Sequence, residues 1–353
     1  VVSLWNICST KVFAHNMKIA LIHPINVKIQ GGMLPYVIEL KKKFEENGVS
    51  VDIWTFKSAN IPNSKIIKST KRGNNFEQLK EYDWVHLTSM SEDGSKRDFK
   101  EGKQSKFHDL YKFVDYSITI HGLVLDFKRR IDYNHMIDKA KYLVATSESN
   151  RIEIEKRFKK KTIKVGIPFT PFKINHTEKR NKIVCLSRFY PGKRTDEFFK
   201  LSHYFPKYEF VFKGSIFDKN GKVIGGLGAQ FYYKKIEDMI KTSKNVCLLN
   251  EEKTLKEILN GAWFAVDFSH QVDKDRPQYT TLEAFSAGVI PIIHPLFSGR
   301  MRDGKEVIAA ENAEEAKEKI GNINSKKMFE YGQKYLKEFI NKTNTEIKKW
   351  INL

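Results

Sequence analysis

The sequence predicts an α/β fold built from two doubly wound parallel sheets, and three features carry that prediction. Short apolar runs alternate with stretches of helical periodicity from residue 18 onward, the βα pattern that produces parallel sheets. The alternation stops over residues 169–181, a polar and aperiodic stretch that reads as a linker, and restarts at residue 182. A chain of 353 residues with 41% hydrophobic content can bury two ordinary cores.

Residues 18–22 (KIALI) form the first strand, followed by a loop that ends in Gly31-Gly32. Leu34, Val37, Ile38, Leu40 and Phe44 then recur at helical spacing, and Asn47-Gly48 is a helix stop before a strand at 51–56. Further strands are expected at 84–88, 117–120 and 142–146; the second ends at His121-Gly122. A charged helix over 148–158 closes on Lys159–Lys161, where cations meet the negative end of the helix dipole. Past the linker, strands are expected at 182–186, 209–212, 245–249, 262–268 and 289–293. Residues 325–351 form an amphipathic helix with no strand after it. The resulting division is an N-terminal extension (1–16), which lacks the features of a secretory signal, a first Rossmann-like domain (17–172), a second (173–328), and a terminal helix (329–353) packing back on the first.

Composition points to partners. With 62 basic and 42 acidic residues the chain carries a formal charge of +20, which attracts polyanions such as nucleic acid or an anionic membrane surface. No apolar run is long enough to span a bilayer. Cys8, Cys185 and Cys247 are isolated, with neither metal-ligand spacing nor a disulfide framework, which fits a reducing cytoplasm.

Residues 275–291 are the chemically richest stretch. A polar loop (Arg276, Pro277, Gln278, Tyr279, Thr280, Thr281) runs into one carboxylate, Glu283, on a short helix that Ala287-Gly288 ends before an apolar strand. A helix start rich in small polar residues suits a phosphate, and a carboxylate one turn in can accept both hydroxyls of a ribose. A plain αβ unit has the same outline, so partners elsewhere must decide. Arg188 and Lys193, separated by a turn containing Pro191-Gly192, supply two cations for a diphosphate. Gly31-Gly32 lets backbone approach a ligand closely, although it matches neither the dinucleotide fingerprint nor the P-loop. His121 follows a strand's carboxyl end, where ligands of open sheets gather, and Lys128-Arg129-Arg130 is a basic cluster near the same rim.

At these residues the second half resembles the nucleotide-binding domain of retaining GT-B glycosyltransferases. In that family an Arg-x4-Lys pair grips the donor diphosphate and a Glu-x7-Glu motif binds sugar and ribose. Arg188 and Lys193 match the pair, Glu283 matches the second glutamate, and Asp275 stands where the first would be. The segments SRFYPGK (187–193) and YTTLEAFSAGVIPII (279–293) place the likeness nearest to members that glucosylate phage DNA. The resemblance implies a GT-B fold, with two Rossmann-like domains facing a central cleft, and transfer of a sugar with retention from a nucleotide sugar, a UDP-sugar first among the candidates. It assigns Arg188 and Lys193 to the leaving diphosphate and Glu283 to the ribose. Asp275 and the segment Pro277, Gln278, Tyr279, with Thr280 and Thr281, would hold the donor, which the Gly31-Gly32 backbone would approach. His121 would meet the reacting sugar or acceptor. Many relatives carry an acidic residue after this histidine; here it is Gly122, and Asp126 is the nearby substitute. Asp273-Lys274-Asp275 outlines a metal-binding DxD, but its place in the loop favours sugar contact with no required metal or other cofactor.

The acceptor expected from charge and resemblance is a hydroxymethylated base in duplex DNA, with Lys128, Arg129 and Arg130 on phosphates and the target base flipped out of the stack. The expected location is the cytoplasm, the host's if the chain is phage-encoded. Two alternatives stand beside it: a glycosyltransferase acting on a lipid-linked or cell-surface glycan, and a non-catalytic nucleotide or nucleic-acid binding protein.

Overall fold

The computed structural model describes residues 17–23, 33–55, 61, 63–67, 69–70, 73–74, 76–89, 107–121, 131–214, 216–217, 223, 226–249, 253–269, 275–297 and 299–353. The chain divides into two compact units, Val1–Pro168 with Asn341–Leu353, and Phe169–Ile340.

In the first unit the strands are β1 (Lys18–Ile22), β2 (Ser50–Thr55), β3 (Lys65–Ile66), a small hairpin of β4 (Ser69–Thr70) and β5 (Gly73–Asn74), β6 (Trp84–Leu87), β7 (Tyr116–Ile120), β8 (Tyr142–Ala145) and β9 (Thr162–Lys164). Seven of them form one sheet in the order β3-β2-β1-β6-β7-β8-β9. Every neighbouring pair in it is parallel. Helices on the faces of a parallel sheet bury both sides, so its strands read as continuous apolar runs: four of the five residues of β1 are buried, and all five of β7. Helix α1 (Met33–Glu45) turns Tyr36, Val37, Leu40 and Phe44 inward, one stripe at helical spacing. Helices α2 (Ile131–Lys139) and α3 (Glu148–Phe158) follow, and Ser147 caps α3 by accepting the Asn150 N–H.

The second unit runs β10 (Lys182–Leu186), α4 (Thr195–Tyr204), β11 (Glu209–Lys213), α5 (Gly226–Thr242), β12 (Val246–Leu248), α6 (Leu255–Leu259), β13 (Ala262–Asp267), α7 (Tyr279–Ser286), β14 (Ile290–Ile293), β15 (Ile308–Ala309) and α8 (Ala313–Ile320). Its sheet order, β12-β11-β10-β13-β14-β15, is the Rossmann order 3-2-1-4-5-6. The final helix α9 (Ser325–Ile351) belongs to the second unit through Ile340 and to the first from Asn341. Its first part needs Gly332, where a Cβ would stand 2.7 Å from the Phe285 ring of α7. Within the first unit, Glu346 accepts the Gly166 N–H at 2.8 Å, and Trp350 packs against Phe44 and His86 with ring centroids 5.1 and 4.7 Å apart. No helix among the described residues is long and apolar enough to cross a membrane.

Candidate active site

In each sheet the strand order reverses direction once, and the crevice at the carboxyl ends of the two strands flanking that point is where open α/β sheets bind ligands. In the second unit those strands are β10 and β13. The chain leaves β10 through Ser187 and Arg188, and Arg188 is exposed. Phe189 anchors the turn: it is buried, and its ring lies 5.1 Å from Tyr232 and 6.2 Å from Tyr233 on α5. Pro191–Lys193 then forms a single 3-10 turn, and Arg194, at φ 45°, swings the chain into α4. The anchor and the turn hold Arg188 and Lys193 on a defined loop. Burial pushes the Cys185 thiol of β10 up, with Asp267 adding to the rise and Lys193 opposing it.

Asp267, the last residue of β13, is a residue that sequence reasoning missed. It is buried and accepts from the Ser269 N–H at 3.0 Å, from the Ser269 hydroxyl, and from the Thr280 hydroxyl at 3.1 Å. Thr280 is therefore turned toward Asp267. Asp267, Thr280 and Thr281 line a cavity of about 10 Å³ with Leu186 and Ile293, room for roughly one water. A polar residue closing an apolar run (AVD) was its only sequence signal.

The remaining candidates of this unit lie on the segment that follows β13. Asp275 passes close to Gly299, where a Cβ would sit 3.3 Å from the Asp275 carbonyl carbon. Pro277 is buried, and Gln278 precedes α7 in extended conformation. Its carbonyl accepts the Thr281 and Leu282 N–H groups at 3.1 and 3.2 Å. The Tyr279 ring lies 6.4 Å from Phe169. Glu283 is half-buried one turn into α7, and no hydrogen bond or ion pair reaches its carboxylate among the described residues. Burial alone raises its pKa to about 7. Gly288, at φ 65°, ends the helix, with the Val289 N–H returning to the Ala284 carbonyl. Arg188, Lys193, Asp275, Pro277, Gln278, Tyr279, Thr280, Thr281 and Glu283 thus all stand on loops or the helix start beyond the carboxyl ends of two paired strands.

In the first unit His121 follows β7 directly. Its Nε2 lies 2.8 Å from the Thr88 carbonyl, and the Tyr36 ring meets its ring edge-on at 4.6 Å. Thr88, just past β6, also joins its hydroxyl to His23 Nδ1 at 3.1 Å. Burial holds His23 and His86 uncharged at neutral pH, lowering their pKa values to about 4 and about 3. Gly31, Gly32, Gly122, Asp126, Lys128, Arg129, Arg130, Asp273 and Lys274 lie outside the described residues.

No protein-family profile and no curated sequence matches the chain. Solved structures do. A glycosyltransferase from Rickettsia africae superposes with a TM-score of 0.63 at 14% identity, covering 95% of this chain and 98% of that one. Anabaena HepE in complex with UDP-glucose gives 0.68 at 12% identity, with 95% and 99% covered. An alpha-glucosyltransferase in complex with UDP and a 13-mer DNA containing an HMU base gives 0.65 at 12% identity, with 94% and 95% covered. At these identities the likeness concerns the fold, and it extends over nearly the whole chain. Two Rossmann-like units, each with a parallel sheet, give this chain the fold of the GT-B glycosyltransferases.

Proposed function

We propose that this protein is a retaining glycosyltransferase that moves a sugar from a UDP-sugar to a hydroxymethylated base in duplex DNA. The observation that carries the donor half of this reading is the switch point at β10 and β13, beyond whose carboxyl ends stand both a loop with two cations and a helix with one desolvated carboxyl. Arg188 and Lys193 neutralise the diphosphate as it leaves, the main electrostatic demand of the transition state. Glu283 accepts the ribose hydroxyls, and these hydrogen bonds replace the hydration that burial has removed. Asp275 and the backbone of residues 277–279 hold the donor sugar, and His121 meets the reacting sugar or acceptor. With two side-chain cations on the diphosphate, the reaction needs no bound metal, so a chelator should leave turnover unchanged. UDP and UDP-glucose in the HepE structures, and UDP in the DNA-bound structure, support the donor assignment.

The acceptor reading is supported by the charge of +20 and by the DNA-bound neighbour. Its test is direct. The protein is incubated with a panel of nucleotide sugars and with hydroxymethylated or plain duplex DNA, and the released nucleosides are weighed by mass spectrometry. A hexose added only to the hydroxymethylated base is expected; no added mass with any donor overturns the reading.

One observation favours the rival acceptor, a lipid-linked or surface glycan. Leu227 and Phe231, one turn apart on α5, are 72% and 69% exposed, with Lys234 and Lys235 exposed one turn further on. Such a face suits an anionic lipid surface. Flotation with anionic vesicles, paired with the nucleoside assay, separates the two acceptors.

A further inference from the structure

The first unit contains a chain of buried polar groups that runs to the ring packed on His121. The Trp84 indole N–H donates to the Ser117 hydroxyl at 2.8 Å, and Ser117 Oγ lies 2.7 Å from His86 Nδ1. His86 Nε2 lies 2.8 Å from the Thr119 hydroxyl, which lies 3.0 Å from the Tyr36 hydroxyl. Ser117, His86, Thr119 and Tyr36 are all at most 1% exposed. An apolar set of the same shape would fill this space at less desolvation cost, so the chain calls for a reason beyond packing.

The geometry at its end supplies one. A backbone carbonyl only accepts, so His121 must carry its proton on Nε2 to bond the Thr88 oxygen. That bond holds the tautomer only while the imidazole stays turned toward Thr88, and rotation of the ring about its Cβ–Cγ bond would break it. The Tyr36 ring, at 89° to the imidazole plane, blocks that rotation. Tyr36 itself is tethered through its hydroxyl to Thr119, and Thr119 to His86.

We propose that Tyr36 is a positioning residue for His121, held in turn by Thr119 and His86, so that one tautomer and one ring orientation of His121 are presented to the reacting groups. This rests on the transferase reading above, and its test has an arm that does not. In long-range nitrogen–proton NMR spectra, His121 (assigned by its loss in His121→Gln) should show a single Nε2–H tautomer in the wild type and in Tyr36→Phe. In Tyr36→Leu the signal should become an average of tautomers. In the assay, Tyr36→Leu should lower kcat by about 10- to 100-fold while KM for the UDP-sugar moves less than about 2-fold, since a misplaced catalytic group costs rate rather than donor binding. Tyr36→Phe, which keeps the ring, should recover most of kcat. Thr119→Val, close in volume, severs the same tether as Tyr36→Phe and also takes the hydroxyl from buried His86 Nε2 and from a Tyr36 that keeps its own, so it should lie between Tyr36→Phe and Tyr36→Leu in both readouts. An unchanged His121 tautomer in both Tyr36→Leu and Thr119→Val overturns the proposal, as does loss of kcat and KM in proportion. Absence of transfer in the wild type would sink the transferase reading, with the NMR arm still deciding whether Tyr36 orders His121.

Discussion

Gly214 passes beneath the carbonyl oxygen of Ser187 so closely that a methyl group on its α-carbon would overlap that oxygen. The two residues stand at the carboxyl ends of neighbouring strands, β11 and β10, and Arg188 follows Ser187 at once. Gly214→Ala must push the Arg188 loop outward, at about 1–3 kcal/mol for forced backbone movement. We expect lower thermal stability together with UDP affinity weakened about 10-fold by calorimetry. Unchanged UDP affinity would separate the loop from the nucleotide.

Glu283 should make donor binding depend on pH. Its carboxyl, raised by burial from 4.5 to about 7, stays protonated in the fold where the unfolded chain has released that proton. Its contribution to stability therefore falls as pH rises from about 4.5 to about 7, by up to about 3 kcal/mol. Glu283→Gln should flatten that dependence in urea unfolding across this window. Ribose hydroxyls donate best to the ionised form, so UDP should bind the wild type more tightly as pH passes 7 and bind Glu283→Gln weakly throughout.

Arg188 and Lys193 should discriminate by phosphate. Each charge-assisted hydrogen bond contributes about 1.5–3 kcal/mol, so Arg188→Ala and Lys193→Ala should each weaken UDP about 10- to 100-fold. Uridine binding should change little. Equal losses for uridine and UDP would mean that the loop acts through structure alone.

Glu197 should matter for stability without touching any ligand. It is buried on α4, pairs with Arg194 at 3.2 Å and Lys200 at 2.9 Å, and accepts the Ala313 N–H of α8 at 2.9 Å. Arg194 and Lys200 reach solvent and can be rehydrated, but the buried Ala313 N–H loses its acceptor, so Glu197→Ala should cost about 1–3 kcal/mol. A urea midpoint equal to wild type would contradict this.

What the sequence disclosed and what it hid have physical causes. Strands buried on both faces, such as KIALI and IPII, are apolar throughout and stand out between turn residues. The edge strands β3, β9 and β15 have two or three residues each and too little apolar length to be told from loop. Glu283 and the Arg188–Lys193 turn were legible because charged residues beside apolar runs and Pro-Gly are conspicuous. Asp267 was not, since one polar residue at a strand end is unremarkable until Thr280 and Ser269 converge on it. Tyr36, Thr88 and His121 lie far apart in the chain, and only the parallel pairing of β6 with β7 brings the last two together.

The division of α9 sets an order of events during synthesis. The first unit's sheet is complete once β9 has been made, yet Thr343, Glu346, Ile347 and Trp350, which pack on that unit, emerge only after the whole second unit. Until then His86 and Phe44 lack the indole that covers them. The first half to be translated is thus the last to be finished, and a premature stop near residue 340 would leave the second unit's sequence whole while unsealing the core that holds His121 in place.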